Sequence, residues 1–197
     1  MDHQSFDLLR RIVSICWIAF LLYWAISAFG AKQNVPGKGG FGRWARARLL
    51  LILIVYLLYT LPVFRPFWRF AYGLPFFYSD GARIAGVVLT VLGLGFAIWA
   101  RVHLGRNWSG QPSMKVGHEL ITSGPYNIVR HPIYTGLLVA LLGAGLVYGP
   151  LWMVALLFVI VMFLWRIHRE EGYMMELFPD VYPAYQERTK ALIPGVW

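Results

Sequence analysis

Long apolar stretches alternate along the chain with polar segments rich in Gly, Pro, Lys and Arg. Each apolar stretch has about the length that a helix needs to cross the hydrocarbon core of a bilayer. The pattern predicts an all-α integral membrane protein whose last two helices form a hairpin, because Gly149-Pro150 leaves only a tight break between them. Five transmembrane helices are predicted, at residues 12–29, 49–64, 84–100, 134–148 and 151–165.

Composition supports a membrane location. Apolar residues make up 58% of the 197 positions and charged residues only 14%, against about 25% charged residues in an average soluble domain. This composition excludes a disordered chain. The chain is basic, with 18 Lys and Arg against 9 Asp and Glu. Because these cations cluster at the ends of apolar runs, they indicate membrane orientation, and no nucleic-acid partner is predicted.

The distribution of cations predicts the topology. Thirteen of the 18 Lys and Arg fall on one side of a five-span arrangement, and an excess of this kind marks the cytoplasmic side. The C-terminus is therefore predicted to be cytoplasmic and the N-terminus external, in a multi-pass protein of a bacterial inner membrane. The polar stretch 101–132 and the tail 166–197 then share the cytoplasmic side, where functional chemistry is expected. The sequence leaves the oligomeric state open.

One candidate site precedes the fourth predicted span. Gly124-Pro125 starts a turn, and Pro132 suits the first turn of a helix, where its missing N–H costs nothing. Arg130 and His131 therefore lie at a helix N-terminus, where free backbone N–H groups favour an anion. Residues of these types also anchor helices at membrane boundaries, and the residues alone do not decide between an anchor and a ligand site.

A second candidate site lies where the fifth span ends. Arg166 and Glu170 are one helical turn apart and are predicted to face a bound ligand. Glu171 and Arg169 are predicted to form a solvated, charge-paired helix end. A metal site is not predicted, because the five His and the single Cys show no spacing typical of metal ligands.

These residues together resemble the isoprenylcysteine carboxyl methyltransferase family of membrane methyltransferases. The resemblance extends over residues 84 to 195. It rests on a series of motifs, which are His118-x-Leu120-Ile121, Gly124-Pro125-Tyr126, Arg130-His131-Pro132-x-Tyr134-x-Gly136, Glu170-Glu171, Leu177-Phe178, Tyr182, Tyr185, Arg188 and Ile193-Pro194. It implies a cytosol-facing pocket for S-adenosylmethionine, within a methyltransferase core at 84–197 that follows two N-terminal transmembrane helices and a basic loop at 1–83.

The resemblance also implies roles for individual residues. Arg166 matches a substrate-side arginine, and no other catalytic residue is implied. The acceptor is expected to be a lipophilic small molecule or a lipidated molecule reached through the membrane lipids: an isoprenylcysteine-type carboxylate, a thiol or a lipid amine. The positions that match cofactor contacts are Gln111, His118, Glu119, Leu120, Ile121, Tyr126, His131, Pro132, Ile133, Tyr134 and Glu170.

Two other classes of function are compatible with parts of the pattern. Membrane NADPH-dependent reductases of the sterol-reductase type share the Arg130-His131-Pro132-x-Tyr134 element, although they usually have more spans. A small non-enzymatic membrane protein, such as a transporter subunit, would more naturally carry ionisable groups within its spans. The central parts of the five predicted spans lack such groups.

Overall fold

A computed structural model of the chain describes residues 2–28, 79–108 and 119–196. These residues form helices and turns, with no β-strand among them. Two short 3-10 turns lie at Gly105–Asn107 and Gly124–Asn127. The α-helices are α1 (His3–Ala28), α2 (Asp80–Leu104), α3 (Pro132–Tyr148), α4 (Pro150–Leu177) and α5 (Tyr182–Arg188).

Three of the helices, α1, α2 and α4, are long and apolar enough to cross a membrane. α3 has 17 residues and is apolar along its whole length. Large apolar side chains on the outer surface of α4, including Val154, Leu157 and Phe158, are exposed, as expected of a helix that faces lipid. Four of the five predicted spans thus correspond to helices, and the predicted span at 49–64 lies outside the described residues.

Local sequence signals define where the helices begin and end. The Ser79 side chain accepts a hydrogen bond from the Ala82 N–H (3.2 Å) and caps α2. Gly149, at φ +104°, separates α3 from α4, and Pro150 opens α4. The two helices run antiparallel, because the Tyr134 ring near the start of α3 stacks on Phe163 in the middle of α4, with centroids 4.4 Å apart. The predicted hairpin is present.

The predicted spans give the apolar part of each helix but not its full length. The largest difference is in α4, which continues to Leu177, three turns beyond the predicted end of the span at residue 165. Two contacts hold charged residues of these added turns: Arg166 donates to Glu170 across one turn, at 2.9 Å, and Glu171 accepts from Arg130, at 2.8 Å. The polar last turns of α4 therefore lie at the end of the bundle.

The most extensive contact between described helices joins α2 and α3, and glycines make it possible. A Cβ atom at Gly93 would lie 2.5 Å from the Gly136 carbonyl oxygen, and one at Gly136 would lie 2.5 Å from the Gly93 oxygen. Gly86 and Gly143 meet in the same way further along the two helices. Small residues at a helix crossing let the backbones approach closely, as is common in membranes. This contact fixes the position of the start of α3.

Candidate functional site

A cavity of about 590 Å³ lies at the end of the bundle where α1, α2 and α4 finish and α3 begins. Its volume is in the range of small-molecule and cofactor sites. Apolar and aromatic side chains form most of its wall, and acidic and basic side chains form the rest. The lining residues that the structure describes include Trp17, Phe20, Leu21, Trp24, Asn107, Trp108, Glu119, Leu120, Ile121, Tyr126, Arg130, His131, Pro132, Ile133, Tyr134, Leu137, Phe163, Arg166, Glu170, Tyr173, Tyr182 and Tyr185.

Glu170 is the centre of one polar cluster in the cavity wall. Its Oε1 atom accepts hydrogen bonds from the Tyr134 hydroxyl (2.7 Å) and from Arg166 Nε (2.9 Å). The Arg166 guanidinium also lies over the Tyr134 ring, 5.7 Å from its centroid. The carboxylate, the phenol and the guanidinium hold one another in place, so the cluster presents a preorganised polar surface.

Glu171, the next residue, is the centre of a second cluster. Its Oε1 atom accepts from Arg130 Nε (2.8 Å) and lies 2.7 Å from Arg130 Nη2. His131 Nε2 lies 3.0 Å from the same oxygen, and because a carboxylate only accepts, this nitrogen carries the proton. The Oε2 atom accepts from the Gln186 side chain at 2.8 Å. Glu171 therefore links the start of α3 to α5.

The segment after α5 is held against the start of α3 by backbone hydrogen bonds. The Arg130 N–H donates to the Lys190 oxygen (2.8 Å) and the His131 N–H to the Ala191 oxygen (3.0 Å). The Thr135 hydroxyl donates to the Leu192 oxygen at 2.8 Å. The Arg130 side chain adds bonds to the carbonyls of Gln186 and Thr189. The C-terminal segment thus holds Arg130 and His131, which line the cavity, in place.

Buried tyrosines connect the loop before α3 to α5. The Tyr185 hydroxyl donates to the Tyr126 carbonyl at 2.6 Å, and Tyr182 is buried beside it. Burial raises the pKa of Tyr185 to about 12. Burial, together with the charge of Glu170, raises the pKa of Tyr126 still further above its ordinary value. Both phenols are therefore neutral near pH 7, as packing and hydrogen-bonding groups rather than bases.

The turn that carries Tyr126 is anchored to α2. His103 Nε2 lies 2.9 Å from the Ser123 hydroxyl oxygen, and the His103 ring stacks on Tyr126 with centroids 6.4 Å apart. Gly124 follows at φ +58°, and a Cβ atom there would lie 2.7 Å from the His103 ring. The turn therefore requires glycine for its backbone conformation and for the space above the imidazole.

Aromatic rings from α1 form the apolar wall of the cavity. Phe20 stacks on Trp24 with centroids 5.0 Å apart, and Trp17 meets Phe20 edge-on at 5.9 Å. Trp24 in turn meets Trp108 edge-on at 5.5 Å. Offset and edge-on ring pairs of this kind are favourable beyond the area they bury. We refer to Trp17, Phe20 and Trp24 as the α1 aromatic column.

A buried arginine holds the end of this column. Arg101, 4% exposed, donates to the Ser27 carbonyl of α1 (2.5 Å) and to the Gly105 carbonyl (2.8 Å). Its guanidinium lies 4.5 Å from the centroid of Trp108, where a cation is attracted to the face of the ring. The last turn of α1 and the ring of Trp108 are therefore fixed to the end of α2.

The sequence-predicted site residues that are described all lie on this cavity. Gln111 and His118 fall outside the described residues. The predicted cofactor positions in the cavity wall are Glu119, Leu120, Ile121, Tyr126, His131, Pro132, Ile133, Tyr134 and Glu170, and Arg166 is there too.

The prediction that Glu171 is solvated was wrong, whereas the predicted charge pairing is present. Its side chain is 14% exposed and pairs with Arg130, which is 10% exposed, so it is not part of a solvated helix end. Arg169, by contrast, is exposed on the outer side of α4, near Trp165 and Tyr173. Sequence reasoning also missed the α1 aromatic column, although the spacing of Trp17, Phe20 and Trp24 places them on one helical face.

A large part of the chain is similar to known proteins. The family model described as phospholipid methyltransferase matches residues 82–181. The protein-S-isoprenylcysteine O-methyltransferase of Schizosaccharomyces pombe is 38% identical over 80 residues, which cover 39% of this chain and 34% of that protein. The cobalt-zinc-cadmium resistance protein CzcN of Cupriavidus metallidurans is 30% identical over 118 residues, 58% of this chain and 53% of that protein.

A solved structure is similar as well. The eukaryotic intramembrane Ras methyltransferase, an isoprenylcysteine carboxyl methyltransferase, superposes with a TM-score of 0.54 at 28% identity, over 59% of this chain and 43% of that one. The chain spans about half or less of the length of these relatives.

The fold and the site define a helical membrane protein whose cavity, at the ends of its helices, has a mostly apolar wall with several charged side chains. The chain belongs to the phospholipid methyltransferase family. The resemblance to isoprenylcysteine carboxyl methyltransferases that the sequence motifs indicate is confirmed by the relatives and by the structural similarity.

Proposed function

We propose that the protein transfers a methyl group from S-adenosylmethionine to a lipophilic acceptor. The observation that carries this proposal is the cavity itself, which joins a charged part to an aromatic, apolar part at the end of a membrane bundle. A polar cofactor and an apolar acceptor can meet in such a space. Similarity to a protein-S-isoprenylcysteine O-methyltransferase favours an isoprenylcysteine-type carboxylate as the acceptor. A thiol and a lipid amine are the alternatives.

The residues present fit the cofactor. S-adenosylmethionine carries an adenine ring, which needs a flat apolar surface, and ribose hydroxyls, which need hydrogen-bond acceptors. Its amino acid group needs both a positively and a negatively charged partner. Tyr126 and Ile133 offer packing surfaces, and Glu119, His131 and Glu170 offer polar atoms in the same wall. We assign cofactor binding to these residues and to Leu120, Ile121, Pro132 and Tyr134, and extend the assignment to Gln111 and His118, which lie outside the described residues.

The cofactor would supply an electrophilic methyl group on a sulfonium. What the protein then contributes is alignment, since an in-line displacement gains most from the position of the reacting groups. Arg166, fixed by Glu170 at 2.9 Å, would hold an acceptor carboxylate by a charge-assisted hydrogen bond. A carboxylate or thiolate acceptor needs no general base.

His131→Ala is expected to weaken the binding of S-adenosylhomocysteine ten- to a hundredfold. A hydrogen bond to a charged group is worth about 1.5–3 kcal/mol, which corresponds to this range. The measurement is calorimetric titration of purified protein. His168→Ala is the matched control, because His168 lies on the exposed surface of α4 and its loss should leave the affinity unchanged.

Equal affinities for His131→Ala, His168→Ala and the unaltered protein would remove His131 from the cofactor site. Saturable binding of NADPH, with none of S-adenosylhomocysteine, would instead favour the reductase. Family membership does not favour that alternative.

Replacement of Glu170 and replacement of Arg166 are expected to impair the use of different substrates. Glu170→Ala should mainly raise the KM for S-adenosylmethionine, and Arg166→Ala should mainly impair use of the acceptor, each roughly ten- to a hundredfold. The assay is methyl transfer with each substrate varied in turn. Arg169→Ala, on the exposed side of α4, is the control. If both variants have kinetics close to those of Arg169→Ala, Glu170 and Arg166 form only a structural ion pair.

We also propose the orientation that the cations indicate. The N-terminus would be external and the C-terminus cytoplasmic, in a bacterial inner membrane, so that the cavity opens to the cytosolic cofactor. The division into an N-terminal part at 1–83 and a methyltransferase core at 84–197 remains part of this proposal.

A further inference from the structure

The two parts of the cavity come from different parts of the chain. The charged side chains of the lining lie between Glu119 and Glu170, a region that falls wholly within the family match at 82–181. The apolar wall includes Trp17, Phe20, Leu21 and Trp24 of α1, which precedes that match. The wall is therefore a feature of this chain beyond the shared core.

The α1 aromatic column extends the cavity into the bundle. Among the described residues of α1, Trp24 lines the cavity nearest the end of the helix and Trp17 lines it furthest inward. They are seven residues apart, which is about 10 Å along a helix that rises 1.5 Å per residue. On α3, Leu137 is the lining residue furthest inward, five residues from its start. On α4 the innermost lining residue is Phe163, whereas Trp17 lies beside Trp152, eleven residues nearer the start of that helix, so the wall on α1 reaches deepest.

Trp17 closes the inner end of this wall. Its ring lies 6.5 Å from the ring of Trp152, near the start of α4, so that α1 and α4 meet there. Behind it, Val13, Ala144 and Val147 form a buried cluster against which Trp17 packs. No described residue before Trp17 lines the cavity. An apolar chain lying along the column would meet the indole and then a close-packed core.

We propose that Trp17 sets the maximum length of the acceptor's apolar tail. The proposal rests on the proposed function, because it places the acceptor's reactive head beside Arg166 and Glu170. The tail then lies along the α1 aromatic column and ends at the indole of Trp17. The preferred acceptors are lipophilic molecules whose tail extends about 10 Å along the column, rather than lipids with full-length acyl chains.

Binding of a graded series of apolar ligands tests this limit. The probes are N-acetyl-cysteines whose sulfur carries linear alkyl chains from butyl to hexadecyl, titrated by calorimetry in the presence of S-adenosylhomocysteine. Each buried methylene is expected to tighten binding about fourfold, until the tail reaches Trp17, after which the affinity stays flat. Trp17→Ala should extend the rise by about two methylenes, so that the longer tails bind roughly tenfold tighter than to the unaltered protein.

Two variants complete the experiment. Trp99→Ala removes an exposed indole from α2, away from the cavity lining, and should leave the length limit unchanged. Trp17→Leu fills less space than tryptophan and should give an intermediate limit, and it carries the test if the alanine variant does not fold. An unchanged limit in the folded Trp17 variants, or an equal loss of affinity for all chain lengths, would overturn the proposal.

The outcomes separate this inference from the proposed function. A length limit that moves with Trp17 supports the inference even if no probe is methylated, and that result would count against the proposed acceptors. Methyl transfer to the probes with a length preference that ignores Trp17 would support the proposed function and overturn the inference.

Discussion

Replacing Glu171 by alanine is expected to lower the free energy of unfolding by about 3 kcal/mol. Removal of one partner from a buried ion pair leaves the other charge uncompensated, which typically costs about 3–5 kcal/mol. The lower value applies because Arg130 keeps its bonds to the carbonyls of Gln186 and Thr189. His131 and the Gln186 side chain would lose their acceptor as well.

Removal of the Glu171 carboxylate should also loosen the contact between the site and the C-terminal segment. The amides of Arg130 and His131 donate to the carbonyls of Lys190 and Ala191, so their hydrogen exchange should accelerate when the segment detaches. Thermal unfolding in detergent and hydrogen exchange by mass spectrometry measure the two effects.

Three outcomes are informative. Glu187→Ala, an exposed carboxylate on α5, should change stability by less than about 0.5 kcal/mol. Glu171→Gln keeps an acceptor oxygen, so its stability should lie between those of Glu171→Ala and Glu187→Ala. Stability and exchange in Glu171→Ala that match the Glu187 control would show that the carboxylate does not hold the segment.

The sequence predicts the helices well because a bilayer imposes a length on apolar runs. The predicted spans at 12–29, 84–100, 134–148 and 151–165 each fall on a helix, apart from one residue of the first that lies beyond the described part. Helix ends are less predictable, since the polar turns after residue 165 are stabilised by pairing within the helix and by tertiary contacts. A hydropathy pattern does not report such contacts.

The close contact between α2 and α3 is also not indicated by the hydropathy pattern. The sequence nevertheless contains a signal for it. Gly86 and Gly93 are seven residues apart, and so are Gly136 and Gly143. Seven residues are close to two helical turns, so each pair lies on one face of its helix. Matching glycine pairs on two apolar helices are typical of close packing in membranes.

The candidate site was predictable where its residues are close in sequence and unpredictable where they are not. Neighbouring residues on a helix point about 100° apart, so Glu170 and Glu171 belong to different clusters, and sequence alone does not reveal what each contacts. Arg130 and Thr189 meet across 59 positions of sequence. No local pattern indicates such a contact.

A methyl group added at Gly93 is expected to be as damaging as the loss of Glu171. Gly93→Ala would place a Cβ atom 2.5 Å from the Ala140 backbone nitrogen and 2.5 Å from the Gly136 oxygen. Because both are backbone atoms within helices, neither can move aside as a flexible side chain would. Overpacking of this kind typically costs about 1–3 kcal/mol, and occasionally more. We expect about 3 kcal/mol and a lower melting temperature in detergent.

Gly95→Ala is the matched control, two residues along the same helix. Gly95 is exposed, and a Cβ atom there would meet nothing within 4 Å, so stability should be unchanged or slightly higher because alanine favours the helix. Since α3 begins with Pro132 and carries Tyr134, a displaced α3 should also weaken S-adenosylhomocysteine binding in Gly93→Ala but not in Gly95→Ala. Equal melting temperatures for the two variants would mean that α2 and α3 do not touch through Gly93 and Gly136.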